Sequence, residues 1–278
     1  MARLLASLLL ACLCWPQASR ADELIRQANT QESLILGVTY LRERFQSIDT
    51  SKSLIPNELS GPQLDLGYAN TRMRKLFGRP NFYTRAEVSF GLSQVDFGGD
   101  LLDPETGAAS KNNSGPFNTE SESMRLRLGY MQEFGAKRRF ALTPFVGLGQ
   151  HAAVRNSSGL ASTGGYADFT AEIGVLGQLT LTPQIVFGVD ASIGHTVGAW
   201  QVERQDVLGP TAVPTSFEVY LDNRTFAEWH QRLLFKYNDL RFGGAEASSG
   251  TLQPQRHTGL SVELEFGTEG DLFELLFR

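Results

Sequence analysis

Cysteine, histidine and long apolar runs are all scarce in this chain. Of its 278 residues only two are cysteine, Cys12 and Cys14, and both fall in the first fourteen positions. No disulfide can staple the remainder, so a secreted product must hold itself together by other means. After the opening segment no stretch approaches 18 consecutive apolar residues, which excludes a membrane-spanning helix. The longest unbroken basic run is Lys137 to Arg139, which reads as a solvated turn, so nucleic acid is not an expected partner. No repeat of fixed long period and no low-complexity linker divides the chain. Motifs for a cofactor or a metal are also missing. The loop acids Asp96, Asp100, Asp103 and Glu105 match no calcium-binding spacing.

What the N-terminus does contain is a secretory signal. Arg3 supplies the charged start, Leu4 to Cys14 the apolar stretch, and Ser19-Arg20-Ala21 a small-x-small cleavage site. Residues 1–21 are therefore expected to be removed. "LLAC", Leu9 to Cys12, is a weaker lipoprotein-like signal that Leu10 fits poorly. Without Arg3 and Arg20 the 25 bases become 23 against 30 acids, a net charge of −7.

The mature chain alternates in polarity with a period of two, the mark of strands. Ten spans are expected: 33–45, 62–74, 81–95, 122–134, 139–154, 165–181, 184–200, 224–238, 240–249 and 257–267. Short connections such as "LFGRPN", "GAKRR", "TP" and "ND" alternate with long ones such as "GGDLLDPETGAASKNNSGPFNTES". A soluble sandwich has no reason to sort its loops by length, whereas an outer-membrane barrel does.

The two faces of each strand differ sharply. In "FALTPFVGLGQ", Phe140, Leu142, Val146 and Leu148 share one parity, and Ala141, Thr143, Gly147 and Gly149 the other. Elsewhere the second parity carries charge: Arg85 and Glu87, Arg125 and Arg127, Glu172, Asp190, Glu228 with His230 and Arg232, and Glu263 with Glu265. Charges in mid-strand belong in a polar lumen, and the apolar face then meets lipid. Seven acids and six bases of this parity, Asp65 and Lys236 among them, predict a salt-bridged interior. Phe82, Phe134, Phe140, Phe187, Tyr237, Phe242 and Phe266 share the apolar parity and are expected near short turns, as the aromatic girdle of one interface. Tyr40, Phe90 and Trp229 are the candidates for the far girdle. Pro144 lacks a donor and is expected at a strand start or bulge.

These features resemble the small outer-membrane β-barrel proteins of Gram-negative bacteria, the OmpA/Opa-like class. "LTPFVGLG" looks like their common "tPYvGlG" strand, and "GLSVELEF" like the terminal signal read by the barrel-assembly machinery. The resemblance implies an all-β fold: one antiparallel transmembrane barrel of about ten strands, with short periplasmic turns and long extracellular loops. The organisation is a signal peptide (1–21), a short periplasmic segment (22–32), the barrel (33–267) and a C-terminal tail (268–278). The alternative is that "DLFELLFR" is the closing strand. The expected location is the outer membrane after passage through the periplasm. The expected partners are membrane lipid and lipopolysaccharide, the assembly machinery, and an extracellular ligand at the loops.

The leading functional expectation is a structural or surface-interaction barrel with a plugged lumen, not an enzyme. The alternatives are a narrow pore for small solutes and a lipid-modifying hydrolase. A hydrolase would need a Ser–His pair with an orienting acid, yet Ser192 and His195 have opposite parity. An omptin-like protease would need acids and histidines converging at the loop rim, and the motifs Asp-x-Asp and Asp-x-His are absent. For His230 a structural place in the lumen is expected.

Overall fold

A strand crossing lipid must satisfy its backbone on both edges, and only closure achieves this. In the computed structural model ten strands do so: β1 (Gln31–Phe45), β2 (Asn57–Leu76), β3 (Arg79–Gly98), β4 (Phe117–Tyr130), β5 (Phe140–Ser157), β6 (Gly164–Thr182), β7 (Ile185–Gln201), β8 (Thr215–Phe226), β9 (Trp229–Phe242) and β10 (Gln255–Thr268). The structure describes residues 23–45, 57–76, 79–98, 101–102, 109–110, 117–135, 139–157, 164–201, 207–208, 213–226, 229–242, 246–247, 250–251, 255–269 and 272. Each strand pairs antiparallel with its sequence neighbours. β10 closes the ring on β1, with Val38 opposite Val262 and Gly37 opposite Glu263. β10, Gln255–Thr268, pairs on both sides, with β9 and with β1.

The pleat sorts side chains as the alternation requires. Outward residues such as Val38, Leu126, Leu148 and Leu260 are 55–62% exposed, while inward Arg127 is 2% and Glu265 1%. An apolar belt on this scale is costly against water at about 25 cal/mol per Å² and stable against hydrocarbon. Among the described residues no helix is long and apolar enough to cross a membrane; the strands cross instead. Pro144 faces outward inside β5, where the ladder to β4 stops at Gly129–Phe145 and resumes at Gln132–Leu142. The gap lies opposite a residue with no N–H to give, and the register is unchanged across it, so there is no bulge.

One stretch departs from the sequence reading. β8, Thr215–Phe226, lies where a long loop was expected, and the described residues of 240–249 add no further barrel strand. Residues 240–242 end β9, and Glu246–Ala247 pairs with Gly250–Thr251 in a separate hairpin. The number of strands is nevertheless ten, because one strand was missed and one supplied. The expected turn at Asn238-Asp239 sits inside β9, opposite Ser216 and Thr215. β8 and β9 instead meet at Phe226 and Trp229, which pair with each other. Moving the turn reverses the direction of the chain, so Tyr237 and Phe242 lie toward the loop end and Trp229 at the turn end, the opposite of the girdle assignment. Glu228 lies outside the described residues.

A short helix, α1 (Glu23–Ala28), enters the turn end of the barrel. Glu23 in its first turn and Arg26 in its last suit the helix dipole. Six residues are too few for a stable helix alone; burial supports this one. Leu24, Ile25 and Ala28 pack on Met131, Ala141 and Val186. The C-terminal carbonyl of Ala28 accepts from Gln31 Nε2 at 2.9 Å and Arg232 Nη2 at 2.7 Å. Asn29 and Gln178 exchange amide hydrogen bonds of 2.7 and 3.0 Å.

Candidate functional site in the barrel lumen

At mid-height and toward the turns, the inward charges meet across the lumen. Arg127 on β4 donates to Glu172 on β6 at 2.9 Å and to Asp190 on β7 at 2.7 Å, with its guanidinium 4.4 Å over the Phe145 ring. Arg125 donates to Glu218 on β8 at 3.0 Å. Arg85 on β3 binds Glu87 through two bonds of 3.0 and 2.8 Å and reaches Glu265 on β10 at 2.6 Å. Lys236 on β9 lies 3.2 Å from Glu87 and 2.7 Å from Glu263. Arg232 donates to Glu265 at 3.1 Å and to Asp222 at 3.0 Å, and stacks 4.5 Å over Tyr220. His230 Nδ1 is 2.7 Å from Asp222 Oδ1.

Multiple charge-assisted bonds are what permit ions to stay buried. Close approach of the backbone helps. A Cβ on Gly147 would stand 2.7 Å from Glu172 Oε1, so only glycine admits the carboxylate there. Of the residues singled out from sequence, Arg85, Glu87, Arg125, Arg127, Glu172, Asp190, His230, Arg232, Glu263 and Glu265 all lie in this arrangement. Glu218, Asp222 and Tyr220 join them unforeseen, because β8 was taken for loop. The signal was there: Ser216, Glu218, Tyr220 and Asp222 alternate with Phe217, Val219 and Leu221. On the outside, Phe82 meets Tyr130 edge-on at 5.3 Å, and Phe134 lies 6.0 Å from Phe140. Phe266 is exposed on β10 near the turn end, and Phe187 is half-buried near the start of β7. The side chain of Phe242 lies outside the described residues.

Toward the loops the lumen opens into a cavity of about 250 Å³. Hydroxyls form its middle band; Ser89 and Ser123, for example, are hydrogen-bonded at 2.7 Å. Acids and histidines line its upper wall. His257 Nδ1 is 2.9 Å from Glu43, and His151 Nδ1 is 3.7 Å from Asp168. Asp168 Oδ1 accepts from Thr170 at 3.1 Å, and Asp65 accepts from Thr39 and Gln63. Arg256 holds Asp239 through two bonds of 2.9 Å. Ser192 donates to Glu172 at 2.8 Å while His195 is exposed on the outer face, so these two form no nucleophilic pair. Among the described residues no three His, Cys, Asp or Glu side chains are grouped to hold a metal.

No family model and no curated protein sequence matches the chain. Solved structures do. The outer membrane protease OmpT from Escherichia coli superposes with a TM-score of 0.53 at 7% identity, over 86% of this chain and 95% of that one. The transport unit of the autotransporter AIDA-I from Escherichia coli gives a TM-score of 0.46 at 9% identity, over 92% and 93%. The attachment invasion locus protein Ail of Yersinia pestis gives 0.30 at 10% identity, over 86% and 99%. With its closed ring of ten antiparallel strands, its apolar belt and its charged lumen, the chain has the fold of the Gram-negative outer-membrane β-barrels.

Proposed function

We propose that this barrel is closed to solutes and acts at its loop end, as a structural or surface-interaction protein of the outer membrane. The observation that carries this reading is the cross-lumen bonding of Arg127, Arg85, Lys236 and Arg232, backed at the turn end by α1. A ten-stranded ring is only slightly wider than an eight-stranded one, whose interior side chains about fill it. Paired charges that bridge such a ring leave no continuous aqueous path. The secretory signal and the terminal "GLSVELEF" support passage through the periplasm and insertion by the assembly machinery. On this reading the short turns face the periplasm and the long loops face lipopolysaccharide and the exterior.

Planar-bilayer recording tests it. The purified chain should show brief, small openings at most. Deleting residues 23–28 alone should leave conductance low, because the ion-pair layer persists. Combining that deletion with Arg127→Ala should raise it. Large, steady conductance from the unaltered protein would establish the narrow-pore alternative instead.

A further inference from the structure

Bases are spread unevenly around the turn end of the barrel. No acid stands between Asp65 and Glu87, while Arg72, Arg74, Lys75, Arg79 and Arg85 all fall in that stretch. Arg85 turns inward to Glu87 and Glu265. The other four belong to the end of the β2–β3 hairpin. The next hairpin of that end, β4–β5, adds Lys137, Arg138 and Arg139, whereas residues 180–185, where β6 passes into β7, carry no charge.

The outward series of β2 runs from the apolar belt to its edge. Leu64 and Leu66 are exposed in the belt, Tyr68 and Asn70 follow, and Arg72 and Arg74 end the series. Arg74 stands opposite Phe82 of β3, and Phe82 opposite Tyr130 of β4, the edge-on pair of the outer surface. Such rings mark the level of lipid headgroups, so the register puts Arg74 at that level. Arg72 is committed to Glu32. Arg74 and Lys75 are exposed, and neither makes an ion pair among the described residues.

A bulge holds this end of the hairpin. Pro80 and Asn81 of β3 stand against the single residue Lys75 of β2. Asn81 has a φ of 76°, a left-handed conformation that asparagine tolerates better than most residues. Arg26 of α1 donates to its Oδ1, its Nδ2 donates to Glu133 at 3.3 Å, and its carbonyl accepts from the Met131 amide at 2.9 Å. Lys75 has the inward parity yet is exposed, as a bulge beside it allows.

We propose that the end of the β2–β3 hairpin seats an anionic glycerophospholipid, with its phosphate at Arg74 and Lys75. Its acyl chains then lie along the outward pairs Tyr68–Val88 and Leu66–Phe90. This rests on the orientation given above, which puts the turns in the periplasmic leaflet, and it names the lipid class met there. A lipid fits this patch better than a periplasmic protein does, because the bases continue the membrane-facing series of β2 and stand level with the interfacial rings. A zwitterionic headgroup carries its own cation beside the phosphate and gains less from the two bases.

Native mass spectrometry of the folded full-length chain, released from neutral detergent, tests the proposal. Dioleoyl phosphatidylglycerol, dioleoyl phosphatidylcholine and lipid A are the probes. Phosphatidylglycerol should be retained at least about tenfold more strongly than phosphatidylcholine, and less as salt rises. Each base near an anionic headgroup contributes about fivefold in affinity, so Arg74→Gln with Lys75→Gln should weaken phosphatidylglycerol about twentyfold and leave phosphatidylcholine unchanged. Arg74→Lys with Lys75→Arg keeps both charges and should keep binding. Arg42→Gln, at the loop end of β1, should change it less than about twofold, since screening removes so distant a charge. Heat-modifiable migration checks the folding of every variant. Equal retention of the two glycerophospholipids, tighter retention of lipid A than of phosphatidylglycerol, or unchanged phosphatidylglycerol affinity in the folded Gln variant would overturn the proposal. Orientation is read separately. The chain after residue 14 has no cysteine, so Ser114→Cys in a long loop can be labelled with an impermeant maleimide on intact cells. Failure of that labelling refutes the orientation, and failure of lipid retention by the purified chain refutes only the lipid seat.

Discussion

Near the turns, Glu265 is held by Arg85 at 2.6 Å and by Arg232 at 3.1 Å. Near the loops, Asp168 is held by a threonine hydroxyl at 3.1 Å and faces His151 at 3.7 Å. Both carboxylates are nearly fully buried, yet their surroundings differ in kind. Permanent cations that bridge several strands turn the lower lumen into a polar core, which does for a barrel what apolar packing does for a soluble domain. Near the loops the contacts to the acids are of a different kind: hydroxyls, an amide and histidine rings, together with Arg256 on Asp239. The first arrangement, with several fixed charge-assisted bonds to each ion, favours rigidity.

The largest expected effect follows from breaking the lower layer. Arg127→Ala removes the guanidinium that holds Glu172 and Asp190 and stacks on Phe145. Leaving buried carboxylates without it should cost roughly 3–5 kcal/mol. Urea unfolding in lipid vesicles, followed by tryptophan fluorescence and gel migration, measures the loss. A cost below about 1 kcal/mol, as for an exposed pair, would mean that the layer contributes no more than surface ion pairs do.

A change on the outer face should come next. Val146 faces outward on β5 between Leu128 and Ile173 of its neighbours. Val146→Arg should cost roughly 2–4 kcal/mol if this height lies near the bilayer midplane. Thr143→Ser on the inward face is the mild control and should stay close to the wild type. Equal losses at the two positions would contradict the division of the strand into a lipid face and a lumen face.

Much of this architecture was legible in the sequence because a barrel writes its rules locally. Alternation in "RLRLGY" places Arg125 and Arg127 on one face and Leu126 and Leu128 on the other without knowledge of any neighbour. The partner of Arg127 was not legible, since Glu172 and Asp190 reach it only through the register of β4 to β7. The turn after β8 was missed for a chemical reason. "RTFAEW" contains no glycine, proline or asparagine, while the decoy "ND" at Asn238-Asp239 has typical turn composition. That one error left parity intact, so His230, Arg232 and Lys236 kept their face, but it exchanged Trp229 with Tyr237 and Phe242 between the two ends. The helix α1 left almost no trace, because six residues carry too little periodicity and form a helix here only through burial of Leu24, Ile25 and Ala28. The loop-side cavity had its acids visible singly; Asp168 and Glu43 become one wall system only when β6 and β1 face each other across the ring.

The smallest expected effect sharpens the comparison between the two ends. Glu43→Gln keeps the shape and hydrogen-bonding capacity of the side chain beside His257 Nδ1, now 2.9 Å from its carboxylate. An amide oxygen can still accept from the ring, so what is lost is the charge term alone. Stability should therefore fall by no more than about 1 kcal/mol, the net worth of an ordinary hydrogen bond. The same urea assay used for Arg127→Ala reads it. A loss of about 3 kcal/mol or more, in the range of a broken buried ion pair, would make the upper wall as structural as the lower layer. The wall would then be part of what holds the barrel together.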